Sequence, residues 1–318
     1  MQTLTSMTPV RAGYTKQSVG GRTRIGGFTA LLWPYLLIVP SIAYLVVMLL
    51  IPLVQGAALS LTDTRLINPS GGRFVGLDNY TRLIEQPLFW QSVGTTLVYT
   101  AFTVLFAVGI GTIAALLLNR PFRGRTAVRS MMALPWALPT VATALVFSWM
   151  FNLSNGVLNR GSQALGLGQI GWLTDPRWGL VSVTMASVWA VFPLVMLVVL
   201  AAMQSIPEEL YEAASLDGAN AWQSFRAVTW PHITPTVRVV ALLMTIWSIR
   251  RFEIIFLLTG GGPNNSTTTL VVNVYREAFQ DEQLGRAAAI GVFGLLLSLV
   301  VTFVYFAAER RRTKREAH

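Results

Sequence analysis

The chain has 318 residues, 53% of them hydrophobic and only 12% charged, with a formal net charge of +10. A water-soluble domain carries about twice that share of charge, and here the basic residues are split among short loops, which argues against a soluble enzyme or a nucleic-acid-binding face. Cysteine is absent and His232 and His318 are the only histidines, which excludes disulfide, thiolate and histidine-cluster metal chemistry.

A membrane span needs roughly 20 apolar residues, and six runs in the chain reach that length. Residues 1–29 are expected to be a basic, Gly/Ser/Thr-rich tail. Leu31–Val54 is the first run, with Trp33 and Tyr35 as interfacial anchors. It is too long for a cleaved signal peptide, so a retained span is expected. Ser92–Leu118 is the second, and Ala127–Phe151, with Pro135 and Pro139, the third. Gly179–Met203, with Pro193, is the fourth, Pro235–Leu258 the fifth and Ala287–Ala308 the sixth. Their length and continuity argue for helices rather than barrel strands. The expected fold is therefore an all-α integral membrane protein with one six-helix domain over residues 30–308 and a basic tail over 309–318. No strong internal repeat is evident. The pairs Gly109/Gly111 and Gly291/Gly294 are expected to permit close helix packing.

With both termini inside, 15 Lys and Arg residues fall on the cytoplasmic side and seven outside, leaving Arg250 and Arg251 within the fifth run. That bias follows the positive-inside rule and places residues 207–235 in the cytoplasm. The tail from Arg310 is expected to face anionic lipid.

Residues 207–235, PEELYEAASLDGANAWQSFRAVTWPHITP, are a polar segment wedged between the fourth and fifth runs. Pro207 suits a helix start, and Glu208, Glu209 and Glu212 favour its positive end. Leu210, Ala213 and Ala214 are spaced to share one small apolar face. Gly218 permits a turn that a Cβ would strain. Ala219, Trp222, Phe225 and Ala227 or Val228 would form the next face, and Pro231 and Pro235 are expected to stop that helix before the fifth span. An amphipathic interfacial helix with no partner would fit the pattern alone.

Glu212-Ala213-Ala214, then Gly218 and Val228-x-Trp230-Pro231, closely resembles the EAA loop of membrane subunits of binding-protein-dependent ABC importers. The family pattern has Ile and Leu where this chain has Val228 and Trp230. The resemblance extends over roughly residues 30–308: Val75-Gly76-Leu77-Asp78-Asn79-Tyr80, Phe89-Trp90, Thr95-Thr96-Leu97, Asn119 through Arg125, Leu134-Pro135, Gly156-Val157-Leu158-Asn159, Trp172-Leu173, Leu258 through Pro263, Thr267, Tyr275, Ala278-Phe279 and Gly285. The Gly-Leu-Asp-Asn-Tyr and Gly-Gly-Gly-Pro stretches point to the carbohydrate branch, and to the maltose-type larger-partner subunit. The resemblance implies that Glu212, Ala213, Ala214, Asp217, Gly218 and Ala219 form a helix-turn-helix that docks into an ATPase subunit. It also implies a second homologous permease, two ATPase copies, an extracytoplasmic sugar-binding protein, and residence in a bacterial or archaeal cytoplasmic membrane.

The chain itself cannot use the P-loop route, which requires Gly immediately before Lys; the only lysines, Lys16 and Lys314, each follow Thr. It is thus expected to be a transport subunit that binds no cofactor, with ATP used by the partner ATPase. Arg250, Arg251 and Glu253 are the ionic group within a span, and burying charges in lipid is costly enough that they should face protein or water. Arg250 and Glu253 are i, i+3 and share a face, with Trp247 beside them. These residues, with Trp189 and Phe192, form the candidate sugar path; a structural ion pair, snorkelling arginines or plain aromatic packing are the alternatives. A self-contained secondary transporter or channel is the rival function, and a scaffold that anchors partners a third. Neither rival accounts for the amphipathic insertion at 207–235.

Overall fold

The computed structural model describes residues 37–316, with side chains described through residue 310. Contacts divide the chain into two units, Met1–Val54 and Gln55–His318. In the first, residues 37–54 form most of helix α1, Leu37–Leu59, an apolar helix long enough to span a bilayer. The expected tail 1–29 and the start of the first run, residues 31–36, lie outside the described residues.

The second unit contains α2 (Asp78–Glu85), α3 (Pro87–Asn119), α4 (Arg125–Ala137), α5 (Thr140–Met150), α6 (Val157–Ala164), α7 (Pro176–Gln204), α8 (Glu208–Leu216), α9 (Ala221–Ile249), α10 (Glu253–Thr259), α11 (Leu270–Tyr275) and α12 (Leu284–Glu316). No strand occurs among the described residues; two isolated bridges, Thr62 with Phe74 and Arg65 with Asn68, are the only sheet-like pairings there. Among the described residues, five helices are individually long and apolar enough to cross a membrane, and α4 with α5 make a sixth if the bent pair is one span. This is the expected all-α membrane fold.

Helices α3 and α7 form the most extensive pair. Ala107, Ala114, Ala115 and Leu118 of α3 pack with Val191, Val195, Met196 and Val199 of α7 and with Ile233, Val240 and Met244 of α9 in one buried cluster. The close approach is made at Gly111, where a Cβ would stand 2.6 Å from Val195 Cβ and 2.8 Å from the Phe192 carbonyl oxygen. Gly109, Gly291 and Gly294 have no atoms that near, so the expectation of close packing holds only for Gly111. A second cluster gathers Tyr99, Phe147, Phe151, Val183, Ile254 and Ile255, and the buried Tyr99 hydroxyl donates to Ser187 Oγ at 2.7 Å. Gly111→Leu is expected to cost about 3 kcal/mol, the upper end for overpacking, because backbone as well as side chain blocks it. Gly109→Leu should leave the melting temperature of the purified protein nearly unchanged. Equal melting temperatures for the two variants would refute the α3–α7 contact.

Two expected spans are broken. The third is two helices bent by 97°. Pro139 supplies no N–H and disfavours a helical conformation in the residue before it; Leu138 accordingly adopts an extended conformation, φ −77° and ψ 140°. Pro135, by contrast, is accommodated inside α4. The fifth span is not continuous to Leu258: α9 ends at Ile249, Arg250 leaves helical geometry, and α10 starts at Glu253.

Two other prolines are passed by widening the helix. Wide five-residue turns at Val46–Leu50 and Phe225–Thr229 each end two residues before a proline, Pro52 and Pro231. An i→i−5 bond, such as Trp230 N–H to the Phe225 carbonyl, takes over where the proline disturbs the normal ladder. Pro231 and Pro235 therefore do not stop the helix, as the sequence suggested; α9 runs through both.

At the opposite end of the bundle from the α8–α9 connection, short polar clamps fix the loops. Buried Asn79 donates from Nδ2 to the carbonyls of Ser60 and Thr62, both at 2.8 Å, and the Tyr80 and Ser60 hydroxyls lie 2.7 Å apart. Asn159 donates to the carbonyls of Asn152 and Leu153 and accepts from Ile170 N–H. Asp175 caps α7, and hydrogen bonds from the Arg177 side chain, then from its backbone N–H, hold the Asp175 carboxyl below the usual carboxylate range. Buried Glu277 pairs with Arg286 at 2.8 Å; desolvation, helped by the nearby Asp281 charge, raises its pKa against the opposing pull of Arg286.

Candidate functional site: a polar hairpin and a cleft at a broken helix

The hairpin is encoded residue by residue. Pro207 sits at the N-cap of α8, and Glu208 and Glu209 occupy the first turn, where the helix end is positive. The helix ends in a Schellman motif: Ala219 N–H donates to the Ala214 carbonyl at 2.9 Å and Gly218 N–H to the Ser215 carbonyl at 3.0 Å. Gly218 has φ +77°, the left-handed conformation that a Cβ disfavours, although the space around it is open. Asn220 then caps α9 from Oδ1, accepting from Trp222 and Gln223 N–H, while Gln223 Oε1 accepts from Asn220 N–H at 2.8 Å. Ala219 alone links the two caps. The sequence signal for that reciprocal capping box is Asn three residues before Gln.

One side of α8 packs inward through Tyr211 and Ala214, and the Tyr211 hydroxyl lies 3.0 Å from Thr229 Oγ1 in the wide turn. The expected apolar face of Leu210, Ala213 and Ala214 is thus divided: Ala214 packs, whereas Leu210 and Ala213 are exposed. Glu212 and Asp217 are exposed too, and no ion pair engages them among the described residues. Leu216 is 90% exposed and Trp222 67% exposed. A rigid turn that displays carboxylates beside two uncovered large apolar side chains has the make-up of a protein-docking surface. Trp222 also stacks on Phe225 at 5.4 Å, and Phe225 meets Trp230 at 6.0 Å.

At its other end, α9 delivers Trp247 to a cleft of about 440 Å³ lined by Thr140, Trp247, Arg250, Arg251, Phe252 and Glu253. The charges lie in the chain break, not on one helix face, which corrects the i, i+3 expectation for Arg250 and Glu253. None of the three forms an ion pair among the described residues. Arg250 and Glu253 are exposed, Arg251 is half-buried, and Arg251 Nε is buried without a hydrogen-bond partner. Trp247 stacks nearly parallel to Trp136 of α4, with centroids 5.8 Å apart and planes 7° apart. Trp136 and Thr140 flank the break at Pro139 and could not be placed here from sequence, because a straight third helix would have carried them past the site.

Trp189 and Phe192 do not join this cleft. They line a separate apolar cleft of about 770 Å³ with Val98, Phe102, Phe106 and Leu180, and Trp189 packs edge-on against Phe147 at 5.4 Å. Trp189 also packs in the second cluster with Phe252, Ile254 and Ile255, at and just past the break in α9.

Residues 107–314 match the family described as binding-protein-dependent transport system inner membrane component. The chain is 33% identical over 277 residues to the sulfoquinovosyl glycerol transport system permease protein SmoG of Agrobacterium fabrum, covering 87% of this chain and 90% of that one. It is 34% identical over 280 residues to the trehalose/maltose transport system permease protein MalF of Thermococcus litoralis, covering 87% and 94%. Among solved structures it resembles a chain of a bacterial alginate ABC transporter in complex with an alginate pentasaccharide-bound periplasmic protein. That likeness has a TM-score of 0.79 at 26% identity, with 92% of this chain and 99% of that one covered.

Proposed function

Because this chain belongs to the family of inner membrane components of binding-protein-dependent transport systems, we infer that it is the membrane-spanning subunit of an ATP-driven importer that moves a carbohydrate handed over by an extracytoplasmic binding protein. It is a permease subunit and not itself an enzyme. The names of its relatives support a carbohydrate cargo: a sulfonated sugar glycoside, trehalose and maltose, and an acidic polysaccharide. A second, homologous permease and an ATPase dimer would complete the complex.

The observation that carries this reading is the hairpin and what it is joined to. Helix α9 starts in the hairpin at Ala221 and ends at Ile249, beside the Trp247 cleft, with 29 residues in one element. At 1.5 Å per residue that is a lever of about 43 Å. A displacement of the hairpin on an ATPase surface would be carried to the cleft without an intervening loop, and the wide turn at Phe225–Thr229 gives the lever one point of give. Closing of the ATPase dimer on ATP would tilt α9 and α7 and so expose the cleft alternately to the two sides of the membrane.

This reading requires the hairpin to be cytoplasmic and the loop before α6 to be outside, as the basic-residue bias supports. Cysteine is absent from the chain, so Leu216→Cys and Ser154→Cys give labels without background. In intact cells an impermeant maleimide should label Ser154→Cys and reach Leu216→Cys only after permeabilisation. Labelling of Leu216→Cys in intact cells would overturn the orientation. The complex should also take up carbohydrate only with ATP and binding protein; uptake by this chain alone would favour the secondary-transporter reading.

A further inference from the structure

We propose that the cleft at the break in α9 selects acidic carbohydrates, those carrying a carboxylate, sulfonate or similar anion, over neutral ones. This rests on the reading of that cleft as part of the sugar path. The argument starts from the charge inventory. The cleft is lined by two guanidinium groups, Arg250 and Arg251, and a single carboxylate, Glu253. None of them pairs with another, or with any other described residue, within ion-pair distance. The cleft therefore carries a net positive charge that no described residue compensates, as suits groups that face a water-filled cavity rather than lipid.

The kinds of hydrogen-bonding group present point the same way. Each guanidinium offers five N–H donors and no acceptor. Arg251 Nε is already desolvated and has no hydrogen-bond partner among the described residues. Among the side chains that line the cleft with them, the acceptors are the Glu253 carboxylate and the Thr140 hydroxyl. A neutral sugar presents hydroxyls that both donate and accept, and would leave this donor surplus unmatched. A planar carboxylate or a sulfonate group matches a guanidinium fork in charge and in spacing. Trp247, which lines the cleft and is braced by its stacking on Trp136, supplies a flat apolar surface for the C–H face of the ring. Broken helices are also where transporters hold charged cargo, because freed backbone and charged side chains there line a cavity and are kept out of lipid. Glu253 then orients the ligand by accepting from its hydroxyls and repels any anion placed at the wrong end.

The test uses the complete complex in proteoliposomes, with ATP and saturating binding protein, and follows initial uptake of maltotriose and of trimannuronate. The wild type should carry the acidic trisaccharide in preference. Arg250→Gln and Arg251→Gln should each reduce its uptake about 10- to 100-fold, the worth of a lost charge-assisted hydrogen bond, while maltotriose uptake changes by less than about threefold. Trp247→Ala should lower uptake of both. If the wild type carries only maltotriose, and the arginine variants carry it normally while Trp247→Ala does not, the acidic selectivity is wrong and the sugar path stands. If Trp247→Ala, Trp136→Ala and both arginine variants all transport normally, the path reading itself fails. If the arginine variants lose partner subunits on purification with no change in sugar preference, the guanidiniums pair with a neighbouring subunit and the proposal is overturned.

Discussion

Gly218→Val is expected to abolish ATP-driven uptake, at least tenfold down, while the protein still reaches the membrane and binds detergent as the parent does. Gly218 has φ +77° at the close of the Schellman motif, with nothing within 4 Å of where a Cβ would stand. The penalty is therefore purely conformational, of the order of 1–2 kcal/mol for an L-residue in the left-handed region and larger for a β-branched one. The hairpin has little packing of its own to resist it: α8 is held by Tyr211, Ala214 and the Tyr211–Thr229 contact. The strain would be released by re-aiming α8, which leaves the bundle intact and moves the docking face. Gly218→Asn, which tolerates the left-handed region, should retain most activity. Glu212→Lys reverses a charge that no ion pair among the described residues uses, so its effect reports on a partner; loss of ATPase retention on a tagged complex is expected. Normal uptake and ATPase retention in both Gly218→Val and Glu212→Lys would remove the hairpin from coupling.

The second large effect is expected at Gly285, in the first turn of α12. A Cβ there would lie 1.9 Å from the Thr62 carbonyl oxygen, and Gly285 N–H itself donates to the Thr64 carbonyl at 3.1 Å. Backbone opposes backbone, so no side-chain rotation relieves the clash. Gly285→Leu should drive α12 from the loop after α1 and prevent accumulation of folded protein. Asn79→Ala is the graded version. It deletes both donors to the Ser60 and Thr62 carbonyls and should cost about 1–3 kcal/mol, the usual cost of a buried polar group left unpaired. Thermal unfolding of the purified protein reads both. A Gly285→Leu protein that accumulates and melts like the parent would show that the loops do not close there.

These two sites also show what the sequence could and could not convey. Gly218 and the residues around it were legible because caps and turns are local: a left-handed glycine, an acidic first turn and a polar insertion between apolar runs leave their mark within ten residues. The Gly-Leu-Asp-Asn-Tyr and Gly-Val-Leu-Asn stretches were recognisable as a family likeness. Their physical role, Asn79 and Asn159 clamping loop carbonyls, depends on partners 17 to 19 residues away for Asn79 and up to 11 for Asn159, which spacing alone does not reveal. Hydropathy located the spans and could not see their breaks. Pro139 bends the third by 97°, whereas Pro193 is absorbed and Pro231 is bridged by a wide turn. Whether a proline breaks, bends or is accommodated depends on whether neighbouring groups take up the freed backbone bonds. That is why Thr140 was missed at the cleft and Trp136 as the partner of Trp247, and why Trp189 and Phe192, grouped with Trp247 from the sequence, line a different cleft. Of the four glycines expected to permit close packing, only Gly111 is opposed by a neighbouring helix in the chain.

The measurement closest to the central claim is a site-specific photo-cross-link from Leu216→Cys, at the most exposed apolar side chain of the hairpin, in the complex purified with its ATPase. Phe122→Cys, in the loop between α3 and α4 at the same end of the molecule, serves as the comparison. A link from residue 216 to the ATPase chain, altered in yield when ATP is trapped on the complex, is the predicted result. Cross-linking to the ATPase from residue 122 and none from residue 216, in a complex that transports, would contradict the account.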